Sequence, residues 1–303
     1  MSWTDNYWDI VNEFYWVPSY LGLKSIPRKY WAIDEEFVTI PKEMTNPSGP
    51  LYRRLRSSEE YWSFIRRQEE TFNHVFNLTL SILPGDVISH LFDPFFGDGG
   101  VDDYQLSGNS IRDLYPWING GNVTTPDSFL IGDDSVLAIE IKFNAKTSLD
   151  QLGKYVALIA GEELYGGRHE HLNLLYIYPS RASEKFLRET AIDPREFGVE
   201  HLPLLEKSVK NAHVQALYAS EPNAIIDVLL RLRISCITWE EFLATLATYS
   251  ENCGNSPGDR TLLRLLGGLA SEIRRHPLSG VRDDDTGKLP KKRLQSDAAT
   301  PRT

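Results

Sequence analysis

Residues 136–143 read VLAIEIKF, a run of eight residues in which only Glu140 and Lys142 are charged. A short and largely apolar run predicts a strand that is buried on both faces of a sheet. Because strand side chains alternate, Glu140 and Lys142 share one face, and four apolar side chains share the other (Leu137, Ile139, Ile141 and Phe143). Burying a charge is costly unless it is paired or bound to a metal, so these two charges need an explanation.

The pair itself leaves three interpretations open. Glu140 and Lys142 form an ion pair at the end of a strand, or they are solvated on an open face of the sheet, or they belong to a metal site. The E-x-K pattern is frequent in proteins, so the surrounding sequence has to decide among these interpretations.

The flanking sequence predicts an alternating α/β arrangement. Residues 126–131 read as a short strand, Gly132-Asp133-Asp134 as a tight turn, and residues 135–143 as the next strand. Downstream, the patterns indicate helices over residues 147–164, 183–190, 224–233 and 240–249, strands over 171–178 and 234–239, and a last helix over 261–275.

Upstream of these strands, residues 58–83 predict one long helix that Ser58 can cap. Glu69 falls on its apolar stripe, between Ile65 and Phe72, whereas the neighbouring Glu70 points to another side. A carboxylate on a buried stripe is the second oddity of the chain. Residues 84–125 are rich in glycine, proline, aspartate and asparagine and are predicted to be loops.

Length and composition set the domain limits. A chain of 303 residues can form one large or two small domains, and we expect an accessory lobe over residues 1–57, a core over 58–250, a C-terminal helix over 251–276 and a disordered tail over 277–303. No run is apolar enough for a membrane span and the N-terminus lacks the pattern of a secretory signal, so we expect a cytoplasmic protein with no membrane partner. The net charge of −10 argues weakly against nucleic acid as a partner.

Asp127 gives the charged pair a context that favours a metal site. If the two strands form a hairpin around residues 132–134, Asp127 at the head of the first strand approaches Glu140 at the end of the second. Two neighbouring carboxylates repel unless a cation lies between them, and ligation by oxygen alone suits Mg²⁺ or Mn²⁺. Lys142 then supplies a positive charge that can position or deprotonate a water.

These residues resemble the signature of the PD-(D/E)XK nuclease superfamily, in which Pro126-Asp127 and Glu140-Ile141-Lys142 match its two halves. Gln151 and Tyr155, on the following helix, are similar to the QxxxY motif of the RecB-type and phage-exonuclease-like branch. Glu69 matches the acidic residue that many of these enzymes carry on the preceding helix. The resemblance covers roughly residues 60–180 and implies a restriction-endonuclease-like core, a mixed sheet flanked by helices.

The resemblance also implies a function, an Mg²⁺-dependent (or Mn²⁺-dependent) endo- or exonuclease that acts on nucleic acid, with DNA expected before RNA, and leaves a 5′-phosphate. Asp127, Glu140 and the backbone carbonyl of Ile141 would hold the metal, with Glu69 bound directly or through water. Lys142 would orient the attacking water. Gln151 and Tyr155 would fix the substrate backbone or the geometry of the metal site. A defence or repair role, and a second copy or another protein as partner, remain open.

Two other functions stay open: a site-specific restriction endonuclease, and a catalytically silent nuclease fold that only binds. Each motif residue also has a structural interpretation. Pro126-Asp127 can start a turn, Ser148 and Gln151 fit a capping box, Tyr155 fits an ordinary core position, and Glu69 can pair with an arginine. The two cysteines, Cys236 and Cys253, cannot supply the four ligands of an iron-sulfur cluster.

Overall fold

The computed structural model describes residues 2–7, 69–97, 102–107, 126–143, 147–180 and 192–281. Its strands are β1 (Gln105–Leu106), β2 (Ser128–Ile131), β3 (Ser135–Ile141), β4 (His171–Tyr178) and β5 (Leu232–Thr238). Its helices are α1 (Glu69–Ile82), α2 (Gly85–Phe92), α3 (Leu149–Tyr165), α4 (Leu202–Ser208), α5 (Ala212–Ser220), α6 (Pro222–Arg231), α7 (Trp239–Asn252) and α8 (Pro257–Arg275). The predicted α/β class is confirmed.

The strands form one mixed sheet in the order β1-β2-β3-β4-β5. Strand β2 runs antiparallel to both of its neighbours, β1 and β3, whereas β3, β4 and β5 run parallel to one another. The predicted hairpin is confirmed, because β2 and β3 pair from Ser128 opposite Ile139 to Ile131 opposite Val136. The turn of this hairpin is stabilised by Asp102, whose carboxylate accepts hydrogen bonds from the backbone N–H groups of Asp133 and Asp134 at 2.8 and 3.3 Å.

Apolar side chains cover both faces of the sheet, as the continuous apolar run of β3 predicts. Val136 and Ala138 pack against α3 and the helices beyond it. Leu137, Ile139 and Ile141 pack on the opposite face, against side chains from α1, α2, α7 and α8. Helix α3 is the crossover between the parallel strands β3 and β4, and this explains why it is apolar on nearly every side.

The prediction of loops after residue 83 is wrong over residues 85–92, which form α2. Pro84 and Gly85 suggested a turn, but they begin a helix whose Val87, Ile88 and Leu91 are buried in the core. Proline is well tolerated at this boundary, because the first N–H groups of a helix have no partner within it. The burial of three apolar residues on one face therefore outweighed the turn-forming sequence.

Several boundaries differ from the predicted ones by a few residues. Helix α8 begins at Pro257, four residues before the predicted Thr261, because Ser256 caps it with a reciprocal contact to Asp259. The strand predicted over residues 234–239 runs over Leu232–Thr238, since Thr238 caps α7. Leu278 and Val281 pack against the core, so the ordered chain extends into the segment assigned to the tail.

Some predictions lie outside the described residues. These are the helix over 183–190, the first part of the helix predicted from Ser58, the tail from residue 282 and the accessory lobe apart from residues 2–7. Among the helices that are described, none combines the length and the apolar character needed to cross a membrane.

Candidate functional site

Glu140 and Lys142 lie at the carboxyl end of β3, on the face that α3 covers. Glu140 is only 3% exposed to solvent and Lys142 only 6%, so the interpretation of the pair as solvated charges is wrong. The Lys142 ammonium donates to Glu140 Oε1, forming a buried ion pair. Because an ion pair and a metal site are compatible, this contact leaves the metal interpretation open.

Helix α3 supplies two more donors to the same carboxylate. Gln151 Nε2 donates to Glu140 Oε1, and the Tyr155 hydroxyl donates to Glu140 Oε2. Residues four apart lie on one side of a helix, which explains why both side chains reach one target. Ser148 caps the helix by accepting the Gln151 backbone N–H at 3.2 Å, but the Gln151 side chain points to Glu140 and does not complete a capping box.

Asp127 lies directly before β2 and beside Glu140. The register pairs Ser128 with Ile139, so one further step along the hairpin places Asp127 opposite Glu140. Its Oδ2 accepts the backbone N–H of Ile141 at 2.6 Å. This contact uses the Ile141 amide, and the proposed role of the Ile141 carbonyl oxygen as a ligand stays a prediction.

Glu69 is the first described residue of α1, and its side chain reaches the same end of the sheet. Its Oε2 accepts the backbone N–H of Phe143 at 3.1 Å, two residues beyond the end of β3. Glu69 therefore lies at the same end of the sheet as the charged pair, with a backbone amide among its contacts, and its role as a metal ligand stays a prediction. Glu70, the other candidate carboxylate, has a side chain outside the described part of the structure.

Burial and crowding change the ionisation of these groups. Burial and the nearby charge of Glu140 raise the pKa of Asp127 well above its usual range, although the Ile141 amide acts in the opposite direction. Burial also raises the pKa of Glu140, against the lowering effect of Lys142 and Gln151. For Lys142, burial lowers the pKa, but the carboxylates around it, Glu140 foremost, raise it by more. The site thus concentrates more negative charge than one lysine offsets.

Two asparagines on α1 belong to the site, and sequence reasoning missed both. Asn73 Nδ2 donates to Asp127 Oδ1, and Asn77 Nδ2 donates to the backbone carbonyl of Asp127 at 2.5 Å. Ser128 Oγ in turn donates to Asn77 Oδ1 at 2.7 Å. Glu69, Asn73 and Asn77 are four residues apart and therefore share one helical face, but this spacing alone does not distinguish the asparagines from ordinary helix residues.

Three polar atoms on elements around the site are buried without a hydrogen-bond partner among the described residues: Asn73 Oδ1, Thr147 Oγ1 and Trp239 Nε1. Thr147 lies just before α3, and Trp239 directly follows β5. Ligands of open α/β sheets bind at the carboxyl ends of the parallel strands, and Glu140 and Lys142 lie at that edge.

The oxygen atoms at this site are of the kind that bind a hard divalent cation. Asp127, Glu140 and Glu69 offer carboxylate oxygens, and Asn73 Oδ1 is an amide oxygen left unpaired beside them. Across the described residues, however, no group of three or more His, Cys, Asp and Glu side chains is placed as a ready-made metal site. Lys142 contacts Glu140 in this state and serves as its counterion.

Comparisons of the chain with protein-family models, with characterised proteins and with solved structures find no match. Paired carboxylates with a buried ammonium beside them suit the binding of a dication and the stabilisation of charge that develops on a phosphate.

Proposed function

We propose that the protein is an Mg²⁺- or Mn²⁺-dependent nuclease that hydrolyses phosphodiester bonds, with DNA as its substrate. One observation carries the proposal: Lys142, Gln151 and Tyr155 all donate to the carboxylate of Glu140. These are the residues of the ExK and QxxxY patterns, and Asp127 of the PD pattern lies opposite Glu140. The mixed sheet with α3 as crossover agrees with a restriction-endonuclease-like core.

The proposal gives each residue a role. Asp127 and Glu140 would hold the cation, and Glu69 would add a carboxylate from α1. A bound dication polarises the scissile phosphate and lowers the pKa of a bound water. Because its carboxylate neighbours raise its pKa, Lys142 stays protonated and acts as a positive charge that orients the attacking water and stabilises the developing charge. Gln151 and Tyr155 act on Glu140 as positioning residues.

The test is cleavage of supercoiled plasmid and of linear duplex DNA with Mg²⁺, with Mn²⁺ and with EDTA. We expect cleavage that requires the cation, and its loss in Lys142→Ala and Asp127→Ala. Lys154→Ala is the matched control, because Lys154 on α3 also pairs with a carboxylate, Asp150 at 2.7 Å, but outside the site. Cleavage that survives both site variants, with folding verified by circular dichroism, removes this site from consideration.

A catalytically silent binding protein is the second candidate. It is favoured by the saturation of Glu140, since both of its oxygens already accept donors from the protein. Calorimetry separates the two functions. DNA binding without any heat of Mg²⁺ or Mn²⁺ binding supports the silent fold, whereas cation binding that Asp127→Ala abolishes supports the nuclease. Discrete bands in a plasmid digest would identify a site-specific endonuclease.

A further inference from the structure

Only one of the two polar atoms in the Asn73 side-chain amide has a hydrogen-bond partner among the described residues. Its Nδ2 donates to Asp127 Oδ1, whereas its Oδ1 is buried and has no hydrogen-bond partner among the described residues. The contact itself fixes this orientation, since the amide nitrogen donates and the carboxyl oxygen of Asp127 accepts. The amide oxygen is therefore held beside Asp127 with its lone pairs unused.

The backbone of Asn73 is also held by a hydrogen bond from Asn77. Its carbonyl accepts Asn77 Nδ2 at 2.9 Å, and the same Asn77 nitrogen lies 2.5 Å from the Asp127 carbonyl. Helix α1 and the start of β2 are thus joined through both asparagines. An acceptor that the protein holds rigidly and leaves unpaired is unusual, because nearly all buried polar atoms find a partner.

We propose that Asn73 is a further residue of the cation site, which Nδ2 serves by positioning Asp127 and Oδ1 serves by accepting a hydrogen bond from a water of the bound cation. Mg²⁺ and Mn²⁺ sites suit this role, because Mg²⁺ keeps several of its waters when proteins bind it. The inference rests on the proposed function, since it assumes that Asp127 and Glu140 hold a dication.

Three variants of the full-length protein test the proposal. Asn73→Leu removes both contacts at similar volume, and Asn73→Asp keeps an oxygen at the position of Oδ1. Asn173→Leu is the matched control, because Asn173 is fully buried with one unpartnered amide atom, Nδ2, and lies on β4 away from the site. Its register partner on β3 is Leu137, about 10 Å along the strand from Glu140.

The measurement is Mn²⁺ affinity by titration calorimetry without nucleic acid, so that catalysis does not enter. We expect Asn73→Leu to weaken Mn²⁺ binding by about 10–100-fold, the usual effect of removing a group behind the direct ligands. Asn73→Asp should bind Mn²⁺ more tightly than Asn73→Leu, because both variants lose the Nδ2 contact but only Asn73→Asp keeps an oxygen. Asn173→Leu should bind it with unchanged affinity, whatever its stability.

Wild-type affinity in a folded Asn73→Leu protein overturns the inference and leaves the proposed function intact. A wild-type protein that binds no Mn²⁺ and cleaves no DNA overturns both. If Asn73→Leu does not fold, Asn73→Ala decides the question through the rise in Tm that saturating Mn²⁺ produces. A rise smaller than that of the wild type supports the role of Asn73, and an equal rise contradicts it.

Discussion

Tyr155 donates its hydroxyl to the carboxylate of Glu140 from a position with no exposure to solvent. Gln151, one helical turn earlier, donates to the other oxygen of the same carboxylate. Neither side chain therefore needs to contact a substrate to matter for activity. Their contacts give the QxxxY pattern a physical meaning in this chain, which is to hold Glu140 in one orientation at the end of β3.

Tyr155→Phe should lower both stability and cleavage. It removes one hydrogen bond to a buried charged group, a loss of about 1.5–3 kcal/mol in the free energy of unfolding. Without that bond the carboxylate of Glu140 can turn, so the rate of DNA cleavage should fall at least tenfold. Urea unfolding and plasmid cleavage under Mg²⁺ measure the two effects.

Tyr218→Phe provides the matched control for this prediction. Tyr218 is also buried and also bonds α3, through the carbonyl of Gly153 at 3.0 Å, but it does not contact the site. Loss of this hydrogen bond should lower the free energy of unfolding by about 0.5–1.5 kcal/mol, the value for a bond between neutral groups. The rate of DNA cleavage per folded molecule should be unchanged. Equal losses of cleavage in both variants would show that Tyr155 acts only through stability.

Asp127→Asn should stabilise the cation-free protein while abolishing cleavage. Burial and Glu140 raise the pKa of Asp127, so keeping it ionised in the folded state costs free energy. An asparagine carries no charge, and its amide nitrogen can donate to Asn73 Oδ1, which has no partner among the described residues. We expect a gain on the order of 1 kcal/mol, a size typical of stabilising changes at strained functional positions.

The gain should depend on pH in a direction that identifies its cause. A carboxyl group whose pKa is higher in the folded than in the unfolded state loses stability as pH rises from the ordinary aspartate range to the folded pKa. The difference in Tm between Asp127→Asn and wild type, measured in EDTA, should therefore grow from pH 4 to pH 8. A difference that shrinks with rising pH would mean that Asp127 is stabilised by its partners when ionised.

Local patterns predicted the part of the fold that holds the site. The hairpin of β2 and β3 and the crossover helix α3 carry uninterrupted apolar patterns and strong turn or cap residues, and all three appear where expected. Asn73 and Asn77 could not be predicted in this way, because an asparagine on a helix is unremarkable until its partner is known. Both asparagines bond to Asp127, which lies 54 residues from Asn73 and 50 residues from Asn77 in the sequence.

Cys236 should resist thiol reagents that modify Cys253. Burial raises the pKa of the Cys236 thiol to about 12, so at pH 8 only about one molecule in ten thousand carries the reactive thiolate. Burial raises the pKa of Cys253 as well, but that residue lies at the end of α7 and is less enclosed. With a chromogenic disulfide reagent at pH 8, we expect one fast thiol and one slow thiol.

Serine variants assign the two phases. Cys253→Ser should remove the fast phase, Cys236→Ser should remove the slow one, and both thiols should react at one rate in denaturant. A fast phase that disappears with Cys236→Ser would contradict the partial burial of Cys236 on β5. Protection of Cys236 also argues against thiol chemistry on β5 as a source of activity.

Lys142→Met should be the most destabilising single change at the site. Lys142 pairs with Glu140, and the charges of Glu69 and Asp127 also act on it. Removing one partner of a buried ion pair costs about 3–5 kcal/mol, because the remaining charge is left without compensation. Glu140→Gln should cost less, since Lys142 then keeps two other carboxylates, and the double variant should be more stable than the sum of the single effects predicts.

Acid and Mn²⁺ should each reverse the loss in Lys142→Met, for the same electrostatic reason. The pKa values of Asp127 and Glu140 are already raised, and loss of the lysine raises them further, so falling pH neutralises the uncompensated carboxylates and restores stability. A bound dication offsets the same charge, so saturating Mn²⁺ should raise the Tm of Lys142→Met by more than that of wild type. Equal Tm shifts in the two proteins would mean that the cation does not offset the carboxylate charge that Lys142 compensates.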